Sequence, residues 1–275
     1  MNTGASRRVR FLSGWRLALY GLGLAALLGG CASQPGVGDA PMVLQTDSDE
    51  GAARKRARTR LALAVGYYEN GQHMVALDEQ KLAVQADPSY ADAHNLGGLV
   101  YMALGDQQQA QAHFQRAIAL NPRDADALHN LGWLQCQQGQ YAVALQSFER
   151  AVAVPTYQGR AKTLMAQGIC EARAGHMAQA EAALMRSYEL DAGNPVTAYN
   201  LAQLLYQRGD FTRAQFYIRR LNNSELANAE SLWLGMRVER RMNNSQALEQ
   251  LAAQLRRRFP QSRELLSFER GAFDE

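Results

Sequence analysis

Apolar and small residues recur along this chain in a helical rhythm, and the rhythm itself repeats. Its clearest stretch runs from Ala91 to Asp124, ADAHNLGGLVYMALGDQQQAQAHFQRAIALNPRD. Apolar positions three and four apart divide it into two amphipathic helices. Gly105-Asp106 separates the helices, and Asn121-Pro122 closes the second. The pattern restarts at Ala125 with ADALHNLGWLQCQQGQ. Turn glycines fall at Gly71, Gly105, Gly139, Gly175 and Gly209, spaced by 34, 34, 36 and 34 residues. This period predicts an all-α solenoid of stacked helix pairs in which each pair touches mainly its neighbours, with no single central core.

Six copies are legible. Each carries an apolar and then a small residue in its first helix, a turn glycine, alanines in its second helix, a large apolar residue between those alanines, and an exit proline. The second copy shows the set in full with Gly98, Tyr101, Gly105, Ala110, Phe114, Ala117 and Pro122. The third has Leu131, Gly132, Gly139, Ala144, Phe148, Ala151 and an early Pro155, and the fourth replaces its second alanine with Ser187. The longer step between copies three and four comes from two extra residues around PTYQGR, 155–160. The sixth is read from Leu234, Gly235, Val238, Ala247 and Leu251, with Met242 at the turn position. Such wear suits a terminal unit, which has one solvent-facing side. Leu265, Leu266 and Phe268 follow, with Ser262 placed to cap a short closing helix that ends at Gly271. Residues 57–261 thus resemble the tetratricopeptide repeat family, which implies a right-handed superhelix of about six repeats, assigned to 53–261, with a C-terminal cap over 262–275.

The N-terminus reads differently. Basic residues precede an apolar, glycine-broken run from Leu17 to Leu28, the order of a secretory signal over 1–30. The run is short for a transmembrane anchor, which is the competing reading. Leu28-Gly29-Gly30-Cys31 resembles the bacterial lipoprotein box, and this resemblance implies lipidation of Cys31. Several acyl chains together anchor far more firmly than one. Ala32, not Asp, follows the cysteine, which points to the periplasmic face of the outer membrane. The stretch 31–52 has no period and is rich in Gly, Pro, Asp and Ser, as a tether with a reach on the order of 25 Å would be. The basic run Arg54–Arg60 then opens the first helix, either as a solvated face or against acidic lipid headgroups.

Removing the leader changes the charge balance. The whole chain carries 29 basic and 26 acidic side chains, but Arg7, Arg8, Arg10 and Arg16 lie in the leader, leaving a net of −1. A near-neutral chain lacks the electrostatic footprint of a nucleic-acid binder. Catalytic chemistry is equally hard to find. His73, His94, His113, His129 and His176 show no metal-ligand spacing, so neither a metal nor another cofactor is expected. Asp92/His94 and Asp126/His129 sit where aspartate favours a helix N-terminus. No phosphate loop, nucleophile elbow or paired-carboxylate motif is present, and an enzyme is not expected. Cys136 and Cys170 fall at non-equivalent positions on neighbouring first helices. With such helices roughly 9–10 Å apart and a disulfide needing Cα atoms within about 7 Å, two free thiols are expected.

In the repeat family the first helix, helix A, lines the inside of the superhelix. Positions two, five, nine and twelve of each repeat would face that groove. Position nine reads Val65, Leu99, Trp133, Ile169, Gln203 and Met236, and position twelve reads Tyr68, Met102, Cys136, Ala172, Tyr206 and Glu239. With Leu61, Asn95 and His129 from position five, Leu61, Val65, Tyr68, Asn95, Leu99, Met102, His129, Trp133 and Ile169 form the candidate partner-binding groove. Its floor is apolar over repeats one to four, and it is either open to a partner segment or covered by neighbouring helices. Some members of the repeat family clamp a partner's terminal carboxylate with Lys and Asn. Leu61 and Val65 stand at those places here, so an apolar segment or strand fits better.

The lipobox, the number and order of repeats, the PTYQGR turn, the fifth repeat NPVTAYNLAQLLYQRGDFTRAQFYIRRL and the SLWLGMR opening of the sixth together resemble the PilF/PilW family of type IV pilus pilotins. The resemblance implies an outer-membrane lipoprotein that binds subunits of the pilus secretin and promotes their localisation and assembly. The alternative is a periplasmic adaptor that organises cell-wall enzymes or outer-membrane protein assembly.

Overall fold

The computed structural model describes residues 51–273. The expected leader, Cys31 and nearly all of the expected tether lie outside this range. The described residues form thirteen helices and no strand. Six antiparallel pairs follow one another: α1 (Ala52–Glu69) and α2 (His73–Ala86), α3 (Ala91–Ala103) and α4 (Gln107–Leu120), α5 (Ala125–Gln137) and α6 (Tyr141–Val152), α7 (Arg160–Arg173) and α8 (Met177–Leu190), α9 (Pro195–Gln207) and α10 (Phe211–Asn222), and α11 (Ala229–Arg241) and α12 (Ser245–Arg258). A short α13 (Arg263–Glu269) closes the array. No described helix is long and apolar enough to cross a membrane.

Local chemistry explains the boundaries. The five turn glycines adopt φ between 73° and 84°, a region that costs glycine nothing and other residues dearly. Asp106 and Asp210, each one residue past a turn glycine, cap their B helices by accepting the backbone N–H of Gln109 and Arg213. Asp124, Asn194 and Asn228 cap the A helices α5, α9 and α11. Ser262 caps α13 as expected, and Gly271, at φ 69°, follows its end.

Within a repeat the two helices approach closely because one is small where the other is large. A Cβ on Gly98 would run into the Phe114 ring, and one on Gly132 would lie 2.9 Å from the ring of Phe148. Phe114 and Phe148 are wholly buried. Each A helix also meets the A helix of the next repeat, whereas no B helix meets the next B helix. The A helices therefore line the inner, concave side.

The sixth repeat corrects its sequence-based register. Its turn residue is Asn243, at φ 57°, thirty-four residues after Gly209, and not Met242. Asn tolerates the left-handed region better than most residues. In this register the small position of helix A holds Met236, and the position of the large B-helix residue holds Ala252, both fully buried in one cluster. Large and small have exchanged sides, which conserves summed volume while moving the letters of the motif. The concave positions of repeat six are then Arg237 and Arg240. Met236 and Glu239 point inward, and Glu239 is bound by Arg219 and Gln215 of α10.

The cysteines form a second correction. Cys136 and Cys170 are joined by a disulfide with Cα atoms 5.8 Å apart. The expectation of free thiols used the distance between helix axes. Facing Cα atoms each stand about 2.3 Å inside that distance, so they come within bridging range. The link ties α5 to α7, the two A helices flanking the long connection 153–159. That connection is itself ordered by contacts. Arg160 donates to the carbonyls of Val154 and Pro155, and Tyr157 packs on Ala125, Leu128 and Ala151. At the far end Phe273 folds back on Trp233, with ring centroids 4.9 Å apart, and helps cover the last A helix.

Two expectations follow. Phe114→Ala alone costs roughly 3–5 kcal/mol, and adding Gly98→Met recovers part of this by reproducing the exchange seen in repeat six. Urea unfolding midpoints measure it, and a double variant less stable than Phe114→Ala would refute the exchange. Reduction of the Cys136–Cys170 bond lowers unfolding free energy by roughly 2–4 kcal/mol. Two titratable thiols in the unreduced Cys31→Ser protein would show that the bond is absent.

Candidate partner-binding groove

The concave face is built from corresponding positions of successive A helices. Val65, Leu99, Trp133 and Ile169, each six residues before a turn glycine, form a line of apolar side chains that remain partly exposed. Tyr68 and Met102, three residues further along their helices, flank it. Leu99 and Met102 pack their inner sides on the buried cluster of Ala110, Phe114, Leu131 and Leu134. Trp133 packs on Cys136, Cys170, Ala166 and Phe148, so the disulfide lies among the groups supporting its ring. The Arg173 guanidinium lies 5.4 Å from the Trp133 ring centre.

Position five behaves otherwise. Leu61 is buried with Ala64 and Leu96, and contributes core rather than surface. Asn95 stays partly exposed, but its Oδ1 accepts a 3.0 Å hydrogen bond from Asn130 Nδ2 of the next A helix. His129 is 5% exposed, and its Nδ1 lies 2.9 Å from Thr163 Oγ1, which also meets the Tyr157 hydroxyl at 2.9 Å. Leu61 and His129 are therefore withdrawn from the groove, because position five sits where adjacent A helices meet. The sequence alone does not single out Thr163 or Tyr157. The PTYQGR insertion was the available signal, since a built turn needs partners.

The remaining polar groups have structural explanations. His94 Nε2 lies 3.1 Å from the Pro88 carbonyl, and burial depresses the pKa of His94 and His113. Asp92 and Asp126 occupy first helical turns, while Asp124 makes the cap of α5. The basic run of α1 is partly engaged. Arg54 pairs with Asp87, and Arg60 with Glu79 at 2.9 Å. Hydrogen bonds from Ser89 and Arg54 hold the Asp87 carboxyl down at about 2. Lys55 and Arg56 remain exposed. Among the described residues no group of three His, Cys, Asp or Glu side chains could hold a metal ion. The face offers a line of partly exposed apolar side chains with Tyr68 and Arg173 beside it, suited to covering apolar side chains of another segment.

This architecture has known counterparts. The tetratricopeptide repeat family profile matches residues 95–161 and 137–195. The chain is 28% identical over 226 residues to the type IV pilus assembly protein PilF of Pseudomonas aeruginosa, covering 82% of this chain and 88% of that one. A solved structure of P. aeruginosa PilF superposes with a TM-score of 0.73 at 26% identity, covering 80% of this chain and all of that one. A crystal structure of PilW, described as a widely conserved type IV pilus biogenesis factor, gives 0.71 at 28% identity over 77% of this chain and 97% of that one.

The buried imidazole gives a pH prediction. Burial, with the Lys162 charge adding, lowers the His129 pKa to about 4. The unfolded chain binds that proton near pH 6.5 and the folded chain does not. Stability is therefore intact above about pH 6.5 and falls as pH drops towards about 4, by up to roughly 3 kcal/mol. Urea unfolding between about pH 7.5 and 4.5 should show a shallower pH slope for His129→Gln than for the parent. Equal slopes would mean that the folded protein protonates His129 freely.

Proposed function

We propose that this tetratricopeptide-repeat protein, related at modest identity to the pilus assembly proteins PilF and PilW, serves type IV pilus biogenesis as a lipid-anchored pilotin. Its partner on this reading is the pilus secretin, and its place is the periplasmic face of the outer membrane. The observation that carries the reading is the partly exposed apolar line Val65, Leu99, Trp133 and Ile169 on the concave face. An unassembled secretin subunit exposes strand edges and apolar side chains that invite aggregation. A concave apolar floor shields such a segment until subunits pair with one another. Lipid on Cys31 carries the complex to the membrane where assembly occurs, and the tether lets the folded body work beside that membrane.

Deleting the gene should abolish the heat-labile secretin multimer on unheated gels, together with twitching motility. Normal multimers in the deletion strain would rule out the pilotin role. Trp133→Ala and Leu99→Ala should each weaken secretin binding by about tenfold or more while leaving helical content intact. Unchanged affinity in both variants would place the site elsewhere. A Cys31→Ala chain should bind the secretin normally in solution and misplace it in the cell.

A further inference from the structure

The apolar line of the groove does not continue to the last repeat. Six residues before the turn, where repeats one to four carry Val65, Leu99, Trp133 and Ile169, repeat five has Gln203 and repeat six has Arg237. Arg240 and Arg241 follow at i+3 and i+4 on α11, so the three share one helical face. Their surroundings set them apart from Arg208, Arg213 and Arg219 of the preceding repeat, although Arg220 there also lies over a ring, that of Tyr188. Arg208 and Arg213 are neutralised by Glu181, and Arg219 by Glu239. Among the described residues no carboxylate forms an ion pair with Arg237, Arg240 or Arg241. Each instead lies over an aromatic ring: Arg237 over Tyr206 at 4.8 Å, Arg240 over Phe273 at 4.3 Å and Arg241 over Phe211 at 5.3 Å. Burial raises the pKa of the Tyr199 hydroxyl, Glu230 and Glu264 add to this and Arg237 opposes it, while Glu239 of the same helix is held by Arg219 and Gln215.

A guanidinium stacked on a ring has given up part of its rotational freedom before any ligand arrives. Its edge can still present paired N–H donors, the geometry that carboxylates accept in bidentate fashion. Three such groups gather positive charge on one face, and Glu239, the acid between them in the chain, is engaged by Arg219 and Gln215 of α10. The site shares the concave side with the apolar line, three repeats beyond Trp133. Adjacent A helices stand roughly 10 Å apart, so the separation is about 30 Å. An extended peptide rising about 3.3 Å per residue spans it in roughly nine residues.

We infer that the groove takes a partner segment of two parts: apolar side chains over Leu99, Trp133 and Ile169, and Asp or Glu side chains on Arg237, Arg240 and Arg241. This rests on the groove reading above and adds the chemistry of the partner's second half. The charge complementarity sets the direction in which the segment lies, because reversing it would place carboxylates on the apolar floor.

The test uses two synthetic peptides. Both open with Leu, Val and Phe; one continues for several residues with Asp and Glu, the other with Asn and Gln. The parent protein should bind the acidic peptide about tenfold or more tighter than its amide counterpart, with the gap closing as salt rises to about 0.5 M. An Arg237→Gln, Arg240→Gln, Arg241→Gln triple variant should lose that preference yet keep the binding that Trp133→Ala removes. Equal affinity of the parent for both peptides, or an unaltered preference in the triple variant, would overturn the inference while leaving the groove standing. Absence of binding by either peptide would overturn both. Parent binding to phosphatidylglycerol vesicles that is lost in the triple variant, with no peptide preference, would assign the arginines to a lipid surface and overturn the inference. Because Arg240 also packs on Phe273, the single Arg241→Glu variant provides a milder check. It should fold as the parent does and prefer the amide peptide more than the parent does.

Discussion

Close approach between the two helices of each repeat is the constraint on which this molecule depends. A single helix pair cannot bury its own apolar faces, so the chain stacks pairs, and stacking works only if each pair presents the same surfaces in the same orientation. Gly98 against Phe114 and Gly132 against Phe148 set that approach in the middle of the array. Met236 against Ala252 shows that total volume matters, and not which helix carries the bulk. Once this contact repeats, the positions six and three residues before each turn emerge as rows along the concave face. The groove is a consequence of that regularity.

The middle of the groove has a further support. Trp133 rests on the cluster holding the Cys136–Cys170 bridge and Phe148, and Arg173 lies over its ring. The same two repeats are joined by the long connection whose Tyr157 and Thr163 reach His129. Two extra residues would ordinarily loosen the stack there. A covalent link between A helices and a buried hydrogen-bonded chain through the connection compensate, so the largest aromatic side chain of the concave line sits where the solenoid is most heavily cross-braced.

Charge is segregated in a way the net balance conceals. At the first helix Arg54 and Arg60 are drawn down onto Asp87 and Glu79, which turns part of an apparent membrane-facing run into packing between α1 and α2 and the turn beyond. At the last A helix the arginines lie on rings and not on acids. Cation–ring contacts hold a guanidinium in place without cancelling its charge. The two ends of the solenoid therefore present different faces although both are rich in arginine.

Helix pairing, the period, the cap at Ser262 and the apolar line through Leu99 and Trp133 were all legible in the sequence, because they follow from local periodicity and turn chemistry that each repeat states for itself. What escaped were features that depend on which residues meet across repeats. The sixth register slid by one because matching letters cannot see a volume exchanged between Met236 and Ala252. Leu61 and His129 were placed in the groove by helical phase alone, and contact with the adjacent A helix withdrew them. An axis-to-axis distance argues against the disulfide, whereas its formation depends on how two particular Cα atoms face each other. By itself the sequence determined that this chain is a repeating helical scaffold with an apolar inner line. Only the tertiary structure decided that the line does not resume in the last repeat, because Arg237 takes the place of Met236 there through a register that packing sets.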